Sequence, residues 1–310
     1  MAASKSHPLV SLTLLLTILA SLGLAAKPSS GCGSAPKLIT SASTQTPLTL
    51  TIDNQKREFF VKLPDNYNNT HPHRLVLTLH ALGGQASQVI AGTGGYLPYY
   101  GLAALATSTN ATLATNTRTI FVAPNGLSNG WGNTNGADVK FIAQVLAAVE
   151  ADACVDQSLR FSTGFSFGSA MSYILACSIG GGIDGLRAVA ALSGNPQISG
   201  TCPGNTTSAD NTVAYYGQHG TSDTVLPIAG GRSMRDRFLQ LNGCDTDQKE
   251  AADPATGSGT HVKTVYHGCK PDKPVVWVTF DGPHTPTPKD KDQNDTWVPA
   301  ETWAFFSQFT

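Results

Sequence analysis

Three features of the sequence predict an α/β fold with a central, mostly parallel sheet flanked by helices. Short continuous apolar runs alternate with amphipathic stretches of helical period, the pattern of strands buried on both faces and of the helices that cover them. Arg160 to Ala176, RFSTGFSFGSAMSYILA, reads as a strand that turns through a glycine-bracketed serine directly into a helix. Six cysteines behind an N-terminal export signal make the fold a disulfide-stabilised one.

The 310-residue chain opens with Lys5 in a short basic region, the apolar run Leu9 to Leu24, and small residues at Gly23 to Ala26. Residues 1–26 are read as a secretory signal peptide cleaved near Ala25 or Ala26, because the run is broken by Ser and Thr and is short for a membrane span. A single α/β domain is expected from 27 to 310, acting outside the cell. A net charge of −1 with 13% charged residues gives no electrostatic case for nucleic acid or a membrane surface as a partner. Cys32, Cys154, Cys177, Cys202, Cys244 and Cys269 form no CxxC pair, so disulfides are favoured over zinc. Cys177–Cys202 and Cys244–Cys269 are taken as local closures, which leaves Cys32–Cys154 to tie the N-terminal arm to the body. Asn68, Asn110, Asn205 and Asn294 head N-x-S/T sequons and are expected to carry glycans on surface loops.

In chain order, Lys27 to Pro47 is rich in Ser, Thr, Gly and Pro, an irregular arm held by Cys32. Leu48 to Ile52 and Arg57 to Leu63 read as strands around a polar Asp53-Asn54-Gln55 turn. Arg74 to His80 is a buried strand that runs into Ala81-Leu82-Gly83-Gly84, where glycines let backbone N–H groups approach a ligand. Thr119 to Pro124 is the next buried strand. The Gly/Asn-rich loop Gly126 to Gly136 follows, and its Trp131 is either a lid over the core or a stacking platform for a sugar or aromatic ring of the substrate. Asp138 reads as the N-cap of a helix through Ala153, with Val139, Ile142, Leu146 and Val149 at helical spacing. Strands at Ala188 to Leu192 and Val213 to Gly217 come next. A helix from Gly231 to Leu241 is stopped by Asn242-Gly243, and Asp245 to Thr260 is a polar loop without visible order. Val275 to Phe280 is the last strand, and Pro299 begins a final helix through Phe309 with Trp303 and Phe306 turned inward.

Gly164-Phe165-Ser166-Phe167-Gly168 fits G-x-S-x-G, the nucleophile elbow of α/β-hydrolases. The pentapeptide alone is common; the strand before it and the helix after it give it weight. Such a turn lifts Ser166 Oγ clear of the sheet at a helix N-terminus, and the crossing chains require small residues two before and two after. Asp223 follows the strand at Val213, and His284 ends Asp281-Gly282-Pro283-His284 after the last strand. A turn Asp that bonds its own backbone is the commoner fate of such a residue. The order Ser166, Asp223, His284 is nevertheless that of α/β-hydrolases, and each residue lies in a loop after a strand. His219 is near Asp223 but precedes it, the wrong order for the base. The N–H groups of Leu82 and Phe167 are expected to form an oxyanion hole, against the alternative that LGG merely turns the chain. This chemistry needs no metal and no organic cofactor.

With these residues in hand the chain resembles the secreted fungal feruloyl esterases of carbohydrate esterase family one, relatives of the polyhydroxybutyrate depolymerases. The likeness is carried by GCG at Gly31 to Gly33, LPDNY at Leu63 to Tyr67, LHALGG at Leu79 to Gly84 and VAPNGLSNGW at Val122 to Trp131. GFSFGSAMSYILAC at Gly164 to Cys177, HGTSDTVLP at His219 to Pro227, NGC at Asn242 to Cys244 and DGPH at Asp281 to His284 complete it. The resemblance implies an α/β-hydrolase fold, a Ser166–Asp223–His284 triad, and release of ferulate or p-coumarate from plant cell-wall arabinoxylan. The expected partner is feruloylated arabinoxylan or its oligosaccharides, met by a monomer. Ala81 and Ser169 stand where many relatives have glycine; both are small. Because the fold also serves acetyl and polyester carbonyls, an acetylxylan esterase or polyester depolymerase is the alternative. A non-catalytic carbohydrate-binding protein is the remote one, disfavoured by the intact Ser, Asp and His.

Overall fold

The computed structural model describes residues 26–107, 118–179, 185–197, 199, 202 and 212–310. Nearly all of the segment read as a signal peptide lies outside them, as do Asn110 and Asn205. The strands are β1 (Leu48–Ile52), β2 (Gln55–Lys62), β3 (His73–Leu79), β4 (Thr119–Pro124), β5 (Val155–Phe165), β6 (Ala188–Leu192), β7 (Ala214–Gly220), β8 (His261–Val265) and β9 (Val275–Phe280). Among the described residues they form one sheet in the order β1-β2-β4-β3-β5-β6-β7-β9-β8. The run from β4 to β9 is parallel throughout, and β1, β2 and β8 pair antiparallel at the edges.

Helices cover both faces, which is why β3, β4, β6, β7 and β9 are buried at every position. Helices α1 (Ala86–Ala91), α2 (Leu102–Ala106) and α6 (Val298–Ser307) pack on one side, around Val76, Phe121 and Phe161. On the other side lie α3 (Ala137–Asp152), α4 (Phe167–Ser178) and α5 (Ile228–Asn242), around Leu75, Leu77 and Val122. α6 shows which force decides. Its VPAETWAFFS sequence is a poor helix former, costing on the order of 0.5 kcal/mol at each aromatic or β-branched position. Burial of Trp303 and Phe306 returns about 2–3 kcal/mol each, so packing wins over propensity.

Several elements differ from the sequence expectation. α3 begins at Ala137, and Asp138 lies inside its first turn; the side chain of Asn133 accepts from the N–H groups of Asp138 and Val139, at 3.1 and 3.2 Å. Asp138 is instead turned onto Arg57, buried, at 2.6 Å. β7 runs on through His219 to Gly220, three residues beyond the expected end. α1, α2 and β8 carry too little periodicity to be read in advance. The Asp245 to Thr260 loop is tied down at its centre: Glu250 accepts from Arg232, Arg235 and the Trp277 indole, the last at 2.8 Å.

Three disulfides, Cys32–Cys154, Cys177–Cys202 and Cys244–Cys269, follow the expected pairing. The first anchors the N-terminal arm, which Asp152 also holds by accepting the N–H groups of Lys37, Leu38 and Ile39. No helix of the described residues is long and apolar enough to cross a membrane.

Candidate active site

Ser166 sits between the end of β5 and the first residue of α4, at φ 56° and ψ −114°. That conformation is costly for a residue with a Cβ and is held here by its surroundings. Its N–H donates to Leu192 O at 2.9 Å, across to β6. The two flanking glycines are steric necessities. A Cβ on Gly164 would lie 2.5 Å from the Gly168 carbonyl carbon, and one on Gly168 would lie 2.1 Å from Leu79 O. The end of β3, the turn and the start of α4 thus cross at backbone contact.

Asp223 and His284 meet beyond the ends of strands two and three places along the sheet from β5. Asp223 lies in the loop after β7 and His284 in the loop after β9; the loops are joined by hydrogen bonds from Thr221 N–H to Phe280 O and from Ser222 N–H to Gly282 O. Gly220 marks their crossing, since a Cβ there would lie 2.3 Å from Gly282 O. His284 Nδ1 donates to Asp223 Oδ2 at 2.6 Å, which leaves Nε2 with its lone pair. The imidazole ring packs on Phe165, the residue before Ser166, with centroids 4.5 Å apart. Asp223 Oδ1 accepts the N–H groups of Val225 and Leu226 at 2.9 and 2.8 Å. Burial alone would raise the Asp223 pKa, but hydrogen bonds from His219, Leu226 and His284 outweigh it and hold the carboxyl at about 2.

His219 is the residue that chain order set aside. Its Nε2 donates to Leu226 O at 2.7 Å and lies 3.2 Å from Asp223 Oδ2, with the side chain fully buried. It is a second partner of the acid. The signal was the i, i+4 spacing in HGTSD, legible only once β7 is known to carry His219 to the sheet edge.

Leu82 and Phe167 come together over Gly130, where an added Cβ would meet the Phe167 ring at 3.0 Å and Leu82 at 3.1 Å. Neighbouring N–H groups of the Leu82 loop are engaged: Ala81 donates to the Tyr96 hydroxyl and Gly83 to Asn129 O. His80 braces this loop, donating from Nδ1 to Ala81 O at 2.8 Å and accepting the Gly126 N–H at Nε2 at 2.9 Å. Burial lowers its pKa, consistent with the neutral ring this pattern requires.

Trp131 needs correcting. It is fully buried, donates its indole N–H to His80 O at 2.8 Å and lies against the His80 ring. Of the two readings open for it, the geometry is that of a lid over the core, with no face left for a substrate ring. The two departures from the glycine pattern are both accommodated. Ala81 is tied by its N–H, and Ser169 is buried against Gly194, where a Cβ would lie 2.3 Å from Ser169 Oγ. Asn68 and Asn294 are exposed.

A nine-stranded, mostly parallel sheet with a strained serine at a strand-to-helix turn, and with acid and histidine in later strand-end loops, defines an α/β-hydrolase. Comparison with solved structures agrees on the fold. An acetyl xylan esterase from Aspergillus awamori superposes with a TM-score of 0.55 at 15% identity, over 84% of this chain and 99% of that one. A feruloyl esterase module from Clostridium thermocellum complexed with sinapinate gives 0.54 at 12% identity, over 93% and 96%. No protein-family model matches the chain. Among curated proteins, feruloyl esterase D of Neurospora crassa is 45% identical over the whole of both chains. Feruloyl esterase C of Emericella nidulans is 41% identical over 90% of each. The chain belongs to the fungal feruloyl esterase family.

Proposed function

We propose that this chain is a secreted serine esterase that hydrolyses the feruloyl esters of plant cell-wall arabinoxylan. Ser166 is the nucleophile, His284 the general base and acid, Asp223 the residue that orients it, and the N–H groups of Leu82 and Phe167 the oxyanion donors. One observation carries the reading: the 2.6 Å His284–Asp223 bond, packed against the residue before a strained Ser166, in a chain 45% identical to a feruloyl esterase. Residues 1–26 direct export, Asn68, Asn110, Asn205 and Asn294 carry glycans, and residues 27–310 form one catalytic domain acting as a monomer.

With Nδ1–H given to Asp223, His284 Nε2 takes the Oγ proton as Oγ attacks the ester carbonyl carbon. The carbonyl π pair moves to oxygen, and the tetrahedral oxyanion accepts from the two N–H groups, each worth roughly 3 kcal/mol. The imidazolium hands its proton to the departing sugar oxygen, leaving feruloyl-Ser166. Water then attacks by the same route, releasing ferulate and restoring Ser166. Asp223, ionised down to pH of about 2, stabilises the imidazolium throughout.

The test is hydrolysis of methyl ferulate and of acetylated xylan by the secreted protein beside Ser166→Ala. Ferulate release that disappears in the variant supports the reading. Acetate without ferulate moves the substrate to small acyl groups, and turnover of neither by a folded protein overturns the feruloyl assignment.

A further inference from the structure

Two tyrosines join the two halves of the nucleophile side. The Tyr100 side chain is buried, and its hydroxyl donates to Leu79 O at 2.6 Å while accepting the Phe165 N–H at 3.0 Å. Leu79 is the last residue of β3 and leads to Leu82; Phe165 is the last of β5 and leads to Ser166 and Phe167. A single oxygen therefore bridges the two strand ends where they part, one toward an oxyanion donor and the other toward the nucleophile. Tyr96 stands edge-on to Tyr100, with centroids 5.6 Å apart, and its hydroxyl accepts the Ala81 N–H at 2.8 Å, one residue before Leu82.

The backbone that delivers these hydroxyls is unusual. Tyr99 and Tyr100 both lie in the left-handed region, at φ 49° and 58°, followed by Gly101 at 78°. Two successive residues with side chains in that region are unfavourable and persist only where packing dictates them. Here the Tyr99 ring lies on Phe121 at 5.2 Å, and Gly101 is closed off by Pro299. A phenylalanine would fill the Tyr100 ring site equally well. What the tyrosine adds is the oxygen, and both its bonds go to the main chain of the candidate site.

We propose that Tyr100, supported by Tyr96, is a positioning residue for ester hydrolysis: its hydroxyl fixes the spacing between the nucleophile turn and the oxyanion loop. This rests on the reading of Ser166 as nucleophile and of Leu82 and Phe167 as oxyanion donors. Oxyanion donors act only at hydrogen-bond distance from the developing charge, and misplacement by about 1 Å can cost a hundredfold in rate. Ester binding in the ground state is far less demanding, so the loss falls on kcat.

The test compares Tyr100→Phe, Tyr96→Phe, Tyr99→Phe and Ser166→Ala with the wild type, on whichever ester the wild type cleaves fastest, with melting temperature and the rate of Ser166 labelling by a fluorophosphonate. For Tyr100→Phe we expect kcat to fall roughly ten- to a hundredfold with KM within about twofold, and labelling to slow in parallel. Tyr96→Phe should show a smaller fall of the same kind, and Tyr99→Phe none. The inference is overturned by a folded Tyr100→Phe with kcat within about twofold of wild type, by an equal loss in Tyr99→Phe, or by a Tyr100→Phe that no longer folds, which would make the hydroxyl a structural bond only. A Ser166→Ala protein that still turns over strikes the underlying reading instead.

Discussion

At the β7–β9 end of the site Asp223 receives four polar contacts, from two histidines and two N–H groups. At the β3–β5 end Ser166 is held by the reverse means, with backbone crossings so close that Gly164 and Gly168 admit no Cβ. One half is fixed by directed charge and hydrogen bonds, the other by the absence of side chains together with two tyrosine hydroxyls. The two halves should therefore fail differently. A side chain forced into the crossings of the steric half should destroy geometry outright, whereas damage to the polar half should leave a folded, slow enzyme with an altered response to pH.

The largest effect is expected from Gly168→Val. Its Cβ would sit 2.1 Å from Leu79 O, so neither active nor normally folded protein should be recovered, as judged by soluble yield and circular dichroism. A well-folded, active Gly168→Val would break the contrast at once. Next comes Asp223→Asn, which keeps the shape but lets the imidazole take the wrong tautomer. Its kcat on methyl ferulate should fall about ten-thousandfold, and the melting temperature should drop by a few degrees in a protein that still folds, because the ionised carboxylate also stabilises the fold. His219→Leu should cost less, roughly tenfold in kcat, because His284 and the two N–H groups still hold the acid; steady-state kinetics on the same ester measures it.

The same variant sharpens the pH side. Asp223 is depressed from 3.8 to about 2, so its contribution to stability is complete above 3.8 and is lost as pH falls toward about 2. Removing the His219 bond should move the acid-unfolding midpoint of His219→Leu to higher pH; an unchanged midpoint would show that His219 does not hold the acid. The smallest effect is expected outside both halves, at Glu250, which reaches His219 only through the Trp277 ring. Glu250→Gln should cost about 1 kcal/mol in urea unfolding through its weakened bonds to Arg232 and Arg235, with kcat unaltered.

The contrast also explains what could be read in advance. The polar half announces itself, since Asp223 and His284 are chemically distinctive and follow apolar strands in a fixed order. The glycines of the steric half are plain once the strand before them and the helix after them are read, because a sharp turn between the two needs small residues on either side of the serine. The supports were not legible. Tyr96 and Tyr100 lie in a stretch whose conformation is set by packing against Phe121 and Pro299 rather than by local periodicity. His219 was hidden by an underestimated strand end, and Trp131 looked available because a Gly/Asn-rich loop gives no sign of how deeply its one large side chain is buried. β8 was missed because an edge strand with one wet face, HVKTV, lacks the continuous apolar run of its neighbours.

The most direct measurement is acid-quenched turnover of methyl ferulate followed by peptide mass spectrometry. If Ser166 is the nucleophile of a feruloyl esterase, the peptide containing it should carry a feruloyl group, and Ser166→Ala should carry none. A feruloyl group on another residue, or ferulate release undiminished in Ser166→Ala, would contradict it.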